Sequence, residues 1–385
     1  MTAMYIERLL APLLQKDRKS ILLLGPRQTG KSTLIKSLNP DLAINLADEQ
    51  IYLDFARNPA ELKERILGKK YSTIFIDEVQ RLPSILNTLQ AMMDDRLSEA
   101  KFYLTGSSAR KLRRGKANLL PGRIHTYQLG PFSSAELGYR AEVQEILATG
   151  VLPSIYLDKS IEEKIKSLRS YTTTYLKEEV QAEALTRNME GFSRLLFVAA
   201  HYSGHFLDFN KLASEAQIPR QSAIRYFEIL EDTLLVNRCE SFAKSGRKRL
   251  VQHPKFYFFD NGVLNALLGN FEPSPDRKGL LFEHLFFNQL LAGAFNRDRD
   301  IRISTYRTEH GAEVDFVVES KGEVWAVELK ASRDVGKNDL RGLKGFGEFH
   351  GKPHHPLVAY LGTTDKIMEG IPIMPWQKAL KAMGL

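Results

Sequence analysis

The string Gly25-x-x-x-x-Gly30-Lys31-Ser32 restricts most sharply what this chain can fold into. It follows the apolar run SILLLG and precedes a helical pattern from Ser32 to Leu38, so strand, turn and helix succeed one another. Bound phosphate needs close backbone approach, and glycines without a Cβ let successive N–H groups and a helix N-terminus point at it. In that arrangement Lys31 neutralises the β- and γ-phosphates of a nucleotide and the Ser32 hydroxyl holds Mg²⁺. Pro26, Arg27, Gln28, Thr29 and Thr33 complete the loop. The competing reading is a glycine-bearing turn with an incidental lysine, and the strand-to-helix placement weighs against it.

A second apolar run ends in two acids, Asp77 and Glu78. A strand that delivers two carboxylates at its C-terminal end supplies what the loop lacks. Asp77 orients a Mg²⁺-bound water, and Glu78 accepts or positions the proton of an attacking water. A third run, Lys101 to Leu104, stops at Thr105, Gly106, Ser107 and Ser108, where a polar side chain could touch the γ-phosphate or the lytic water. Arg123 could reach the γ-phosphate within its own chain or from a neighbouring subunit; on composition alone it is an ordinary surface residue. The run RKLRRGK before it reads as a solvated face or a DNA track. Strands alternating with helices imply an α/β fold, a parallel sheet with helices on both faces.

With 385 residues, 43% of them hydrophobic, the chain holds two or three domains at about 150 residues each. After a helical stretch from Ile161 to Phe206, the segment DFNKLASEAQIPRQSAIRYFEILEDTLLV reads as helix, turn, helix. Leu212, Ala216, Ile224, Phe227, Leu230 and Leu234 face inward, while Arg220, Gln221 and Arg225 lie outside. Two β-like runs follow with AKSGRKR between them, the plan of a winged helix. The blander alternative is a packing or oligomerisation module. The basic tip, Arg247, Lys248 and Arg249, favours nucleic acid, because clustered cations release counterions from a phosphate backbone. The net charge of +8 fits DNA as an anionic partner and also fits solubility alone.

The last third opens with the helix LLFEHLFFNQLL and continues with strands IRISTYRT, AEVDFVVES and EVWAVELKA, joined by EHG and SKG turns. Alternation places Glu313 and Asp315 on one face of their strand, and Glu328 and Lys330 on one face of the next. Asp315 and Glu328, with Glu283 from the preceding helix, could bind Mg²⁺, while Lys330 positions a water or stabilises developing charge. A salt-bridged pair on a half-buried hairpin would leave the same letters. One cysteine, Cys239, allows no intramolecular disulfide and no cysteine-ligated zinc site, which suits a reducing cytoplasm. No targeting segment and no membrane span are expected, because Glu7 and Arg8 interrupt the first apolar stretch.

The strings GPRQTGKST, IFIDEVQRLP, YLTGSSARKL, LPGRI and LGPFSSAEL together resemble the AAA-14 type of AAA+ P-loop ATPase. YFEILEDTLLVNR, PKFYFFDNGVL and EVDFVV are similar to the DUF4143 domain that follows this ATPase in a bacterial and archaeal family. The resemblance implies ATP binding, Mg²⁺-dependent hydrolysis and a winged-helix plus nuclease-like tail. It makes Gly25, Gly30, Lys31, Ser32 and Thr33 the nucleotide loop, Asp77 and Glu78 the metal-water pair, and Ser107 or Ser108 a sensor. Arg123 becomes a phosphate sensor. VDF followed by VELK resembles the PD-(D/E)XK nuclease core. The expected organisation is an ATPase domain over 1–155, a helical linker and winged helix over 156–260, and a PD-(D/E)XK-like α/β core over 261–385.

Two functions compete. One is an ATP-driven machine acting on DNA, whose distal core cuts or holds it. The other is a nucleotide-operated switch whose nuclease-like core is a non-cutting binding or docking module. A small-molecule kinase is disfavoured by Glu78 directly after Asp77 and by the long tail. A homo-oligomer is left open.

Overall fold

The computed structural model describes residues 5–95, 97–107, 120, 122–175, 188–242, 253–309 and 311–385. Its contacts group into two compact units. The first is Met1–Pro131 with Asp232–Leu235 and Phe295–Asp298; the second is Phe132–Glu231, Val236–Ala294 and Arg299–Leu385.

The first unit is built on five strands: β1 (Ser20–Leu24), β2 (Leu42–Asn45), β3 (Thr73–Asp77), β4 (Lys101–Gly106) and β5 (Ile124–Gln128). All pairings are parallel, in the order β2-β3-β4-β1-β5. Alternation along each strand feeds two cores. Leu22, Leu24, Ile74, Ile76, Phe102 and Leu104 enter one, together with Leu86 and Leu89 of the helix Ile85–Asp94. Ile21, Leu23, Phe75 and Tyr103 enter the other, with Leu34 and Ile35 of the helix Lys31–Ser37. A sheet with helices on both faces is the result, and burying each such side chain contributes about 1.5–3 kcal/mol. Because β4 lies between β1 and β3, the ends of these three strands come together at one edge.

The second unit carries helices Met189–His201, Phe209–Glu215, Arg220–Asp232, Asn261–Leu268 and Pro275–Phe295, among others. Its strands are β6 (Val236–Ser241), β7 (Lys255–Phe258), β8 (Arg302–Arg307), β9 (Glu313–Ser320), β10 (Glu323–Lys330), β11 (His355–Tyr360), β12 (Lys366–Met368) and β13 (Ile371–Pro375). They form one sheet, ordered β12-β13-β11-β10-β9-β8-β6-β7. Lys321 and Gly322, both with positive φ, make the tight turn that joins β9 to β10. The parallel pairing of β10 with β11 is reached through the helix Arg341–His350, whose Leu343 and Phe346 pack with Val314, Val317 and Val358.

Leu212, Ala216, Phe227 and Leu230 are buried as the helical period requires, and Ile224 and Leu234 are half-buried. β6 and β7 pair antiparallel from Val236↔Phe258 to Cys239↔Lys255. β6 also runs parallel to β8 through Glu240↔Ser304 and Ser241↔Thr305, which makes the two strands the rim of the large sheet. The basic tip Arg247, Lys248 and Arg249, and the run at 110–116, lie outside the described residues. Among the described residues no helix is long and apolar enough to cross a membrane.

Candidate functional site

The loop after β1 owes its path to two glycines. A Cβ on Gly25 would stand 2.2 Å from the Leu129 carbonyl oxygen, and its N–H donates to Gly106 O at 3.3 Å. Gly30, at φ 86°, takes the left-handed conformation that starts the helix Lys31–Ser37. The Thr29 hydroxyl donates to Pro26 O at 2.8 Å, and the buried Lys31 ammonium donates to Gly25 O and Pro26 O, each at 2.8 Å. Arg8, also buried, braces the loop from outside: its guanidinium donates to Thr29 O at 2.6 Å and to Gly130 O at 3.0 Å. Gln28 and Thr33 are exposed, and Arg27 is half-buried.

Asp77 ends β3, and the same oxygen, Oδ1, receives two hydroxyls. Ser32 donates to it at 2.9 Å, and Thr105, near the end of β4, donates by a short hydrogen bond. One hydroxyl and one carboxylate beside a phosphate loop suit Mg²⁺, which binds through few protein oxygens and keeps several waters. Glu78 turns out of the strand at φ 59°, ψ 45°, with its N–H on Thr105 Oγ1 at 3.3 Å. Gln80 holds it there, since its amide nitrogen donates both to a Glu78 carboxylate oxygen and to Ser107 Oγ, the latter at 3.0 Å. Its own Oε1 is buried and without a partner among the described residues.

Two candidates from the sequence stand elsewhere. Ser108 lies outside the described residues. Arg123 precedes β5, whose Ile124 pairs with Ser20 at the start of β1, whereas the phosphate loop follows Leu24 at the other end. Five strand residues at about 3.3 Å each place its backbone about 16 Å from the loop. Arg123 there meets Asp94 in a short ion pair at the end of the helix Ile85–Asp94. The reading in which Arg123 serves its own chain's γ-phosphate is therefore corrected: parallel pairing puts it at the wrong edge of the sheet.

The distal carboxylates gather in the second unit. Asp315, half-buried on β9, accepts the Leu329 N–H of β10 at 2.7 Å. Burial pushes its carboxyl well above the usual range, with Glu328 and Glu283 adding negative charge and Lys255 opposing them. Glu328 is pushed up to about 7 by burial, against the pull of Lys330, whose Nζ is 3.0 Å from its Oε1. Lys330 also reaches Asp339 at 3.2 Å. Glu283, on the helix Pro275–Phe295, is held by the Tyr257 hydroxyl at 2.6 Å and by Lys255 Nζ at 2.9 Å. Lys255 Nζ is also 3.3 Å from Glu313. Burial alone would depress that ammonium, but Glu283, Asp315 and Glu313 outweigh it and raise it. The expected group of Asp315, Glu328, Glu283 and Lys330 does share one neighbourhood. Among the described residues, however, no three His, Cys, Asp or Glu side chains stand where they could jointly hold a metal ion.

Residues 17–138 match the family model described as AAA domain. The amino-terminal region is an AAA domain. Beyond this AAA domain, residues 140–274 and 278–379 match two domains of unknown function, DUF8612 and DUF4143. Uncharacterized proteins of Mycobacterium bovis and Mycobacterium tuberculosis are each 27% identical over 317 residues, covering 80% of this chain and 70% of theirs. A Walker-type ATPase of Pyrococcus abyssi is 16% identical with a TM-score of 0.45, over 67% of this chain and 93% of its own. The replication initiator DnaA, bound to AMPPCP and single-stranded DNA, is 12% identical with a TM-score of 0.28, over 58% of this chain and 86% of its own.

Within the AAA domain, the residues that sequence reasoning misses are Arg8 and Gln80. Neither has a motif: Arg8 precedes Thr29 by 21 positions, and Gln80 precedes Ser107 by 27. Lys255 escapes notice in the distal cluster for the same reason, since it pairs with Glu283 across 28 positions.

Proposed function

We propose that the chain is a Mg²⁺-dependent ATPase that acts on DNA, with the AAA domain hydrolysing ATP and the helix-turn-helix of the distal half gripping the duplex. The observation that carries the hydrolytic part is the Ser32–Asp77 hydrogen bond of 2.9 Å, which joins the phosphate loop to the strand-end carboxylate. Mg²⁺ bound by Ser32 and oriented through Asp77 would screen the β- and γ-phosphates together with Lys31. Glu78 is the proton acceptor. Its carboxylate lies beside Gln80 and Ser107, and a water placed against the γ-phosphate from the end of β4 would be within its reach. Arg123, from its place at the far edge, can serve only a neighbouring subunit.

The DNA part rests on the second helix of the helix-turn-helix, where Arg220, Gln221 and Arg225 are exposed on one side while Phe227 and Leu230 are buried on the other. Such a helix is shaped as a winged helix's reading helix, with two cations for phosphate or base edges. The test is ATP turnover by the full chain with and without duplex DNA, alongside DNA binding measured at two salt concentrations. DNA should change the turnover rate, and Arg220→Glu/Arg225→Glu should weaken binding and flatten its salt dependence. Turnover indifferent to DNA, with no binding at low salt, removes the DNA reading. ATP turnover that survives Lys31→Ala removes the nucleotide reading.

A second reading, a nucleotide-operated switch with a non-cutting distal core, is favoured by one observation. Lys255 already sits among the carboxylates that a cleaving core would keep for metal.

A further inference from the structure

We propose that the cation of the distal cluster is Lys255 itself: the ammonium of β7 takes the charge-neutralising place of a divalent metal, and the carboxylates anchor β7 to the sheet instead of activating water. The inference concerns the distal core alone and holds whether or not the helix-turn-helix grips DNA.

Four observations support it. First, the Lys255 side chain is only 7% exposed and lies 2.9 Å from Glu283 and 3.3 Å from Glu313, carboxylates supplied by a helix and by β9. A buried ammonium is retained only where it is paired and hydrogen-bonded. Second, Tyr257, two residues along the same strand and hence on the same face, donates to the very oxygen of Glu283 that Lys255 contacts. One strand thus presents two donors to one acid. Third, the remaining acids are engaged from their own sheet: Glu328 by Lys330 at 3.0 Å, and Asp315 by the Leu329 N–H at 2.7 Å. Of the oxygens of these four acids, only Glu328 Oε2 is buried without a partner among the described residues. Fourth, a dication brought to Asp315 and Glu328 would meet the like charge of an ammonium that cannot swing into solvent.

The residues therefore do not fit the metal that the PD-(D/E)XK resemblance implies. They fit an internal ion network. Its effect is on cohesion, since β7 lies at the rim of the sheet beside β6 and Lys255 ties it to β9 and to the helix Pro275–Phe295.

The experiment uses the full chain without nucleotide, titrated with Mn²⁺ and followed by electron paramagnetic resonance and by thermal unfolding. Wild type and Asp315→Asn should bind the same amount of Mn²⁺, and wild-type Tm should not rise with the ion. Lys255→Met should lower Tm by about 10 °C, and Mn²⁺ should restore part of that loss only in this variant, because the acids it leaves bare can then take a metal. Lys255→Arg, which keeps the charge, should stay near wild type in both respects. If Lys255→Met proves too unstable to purify, the wild-type and Asp315→Asn titrations still decide. A wild-type Mn²⁺ site that disappears in Asp315→Asn overturns the proposal, and so does a Lys255→Met protein that unfolds like wild type.

Discussion

The two units each bring a lysine together with acids, and they use them in opposite ways. In the AAA domain Lys31 donates to the main-chain oxygens of Gly25 and Pro26, while Asp77 accepts hydroxyls from Ser32 and Thr105. In the distal cluster Lys255 and Lys330 lie directly on Glu283, Glu313 and Glu328. Hydroxyl hydrogens are weak partners that a metal or a phosphate displaces at small cost, whereas a buried ammonium paired with half-buried carboxylates is displaced only at the cost of leaving its charge unpaired. The same residue types therefore give a site ready for charged ligands in one unit and an internally paired network in the other. Composition does not distinguish these cases; the groups that hold the lysine do.

The largest expected effect comes from Lys31→Ala, which should lower ATP turnover by about three orders of magnitude, since a cation on the transferring phosphoryl group contributes on that scale. Steady-state phosphate release checks it, and a drop of less than tenfold would erase the contrast with Lys255, whose loss should act on stability. Next, Glu283→Gln weakens the partner of a buried ammonium and should cost about 3 kcal/mol in denaturant unfolding. A neutral outcome would mean that Glu313 alone suffices for Lys255.

A smaller effect is set by pH. Glu328 titrates at about 7 when folded, above its ordinary value of 4.5, so between these values the folded state binds more protons than the unfolded one. Its contribution to stability is thus fully present below about pH 4.5 and falls as pH rises toward 7. Wild type should lose up to about 3 kcal/mol across that window relative to Glu328→Gln, because one extra bound proton is worth about 1.4 kcal/mol for each pH unit crossed. Urea unfolding of both proteins at several pH values measures the difference; parallel curves would show that Glu328 is not buried as charge. The smallest effect belongs to Arg123→Ala, which breaks a partly exposed pair with Asp94 and should change stability by less than about 1 kcal/mol. ATP binding by a dilute, monomeric protein should be unchanged.

What could be read from the letters follows from how far each interaction reaches along the chain. The phosphate loop, Asp77 and Glu78 are local strings at strand ends, and the β9–β10 hairpin is a local turn, so motif and alternation suffice. A parallel sheet follows from three apolar runs separated by helices, but its outer strands β2 and β5 are not among those runs. Strand order does not follow from them, and order is what sets β5 beside β1 and brings Thr105 to Asp77. Likewise, the pairing of β6 with β8 is set by packing over more than 60 residues, with no sequence pattern to announce it. Lys255 is inconspicuous because a lysine opening an aromatic strand, KFYF, reads as a solvated end. Only the sheet shows that its neighbours are acids.

The most direct test of the contrast between the two sites is the number of Mn²⁺ ions bound per full-length chain in the presence of a non-hydrolysable ATP analogue. One ion is expected, lost in Asp77→Asn and retained in Asp315→Asn. Two ions, the second lost in Asp315→Asn, would contradict it and make the distal cluster a metal site.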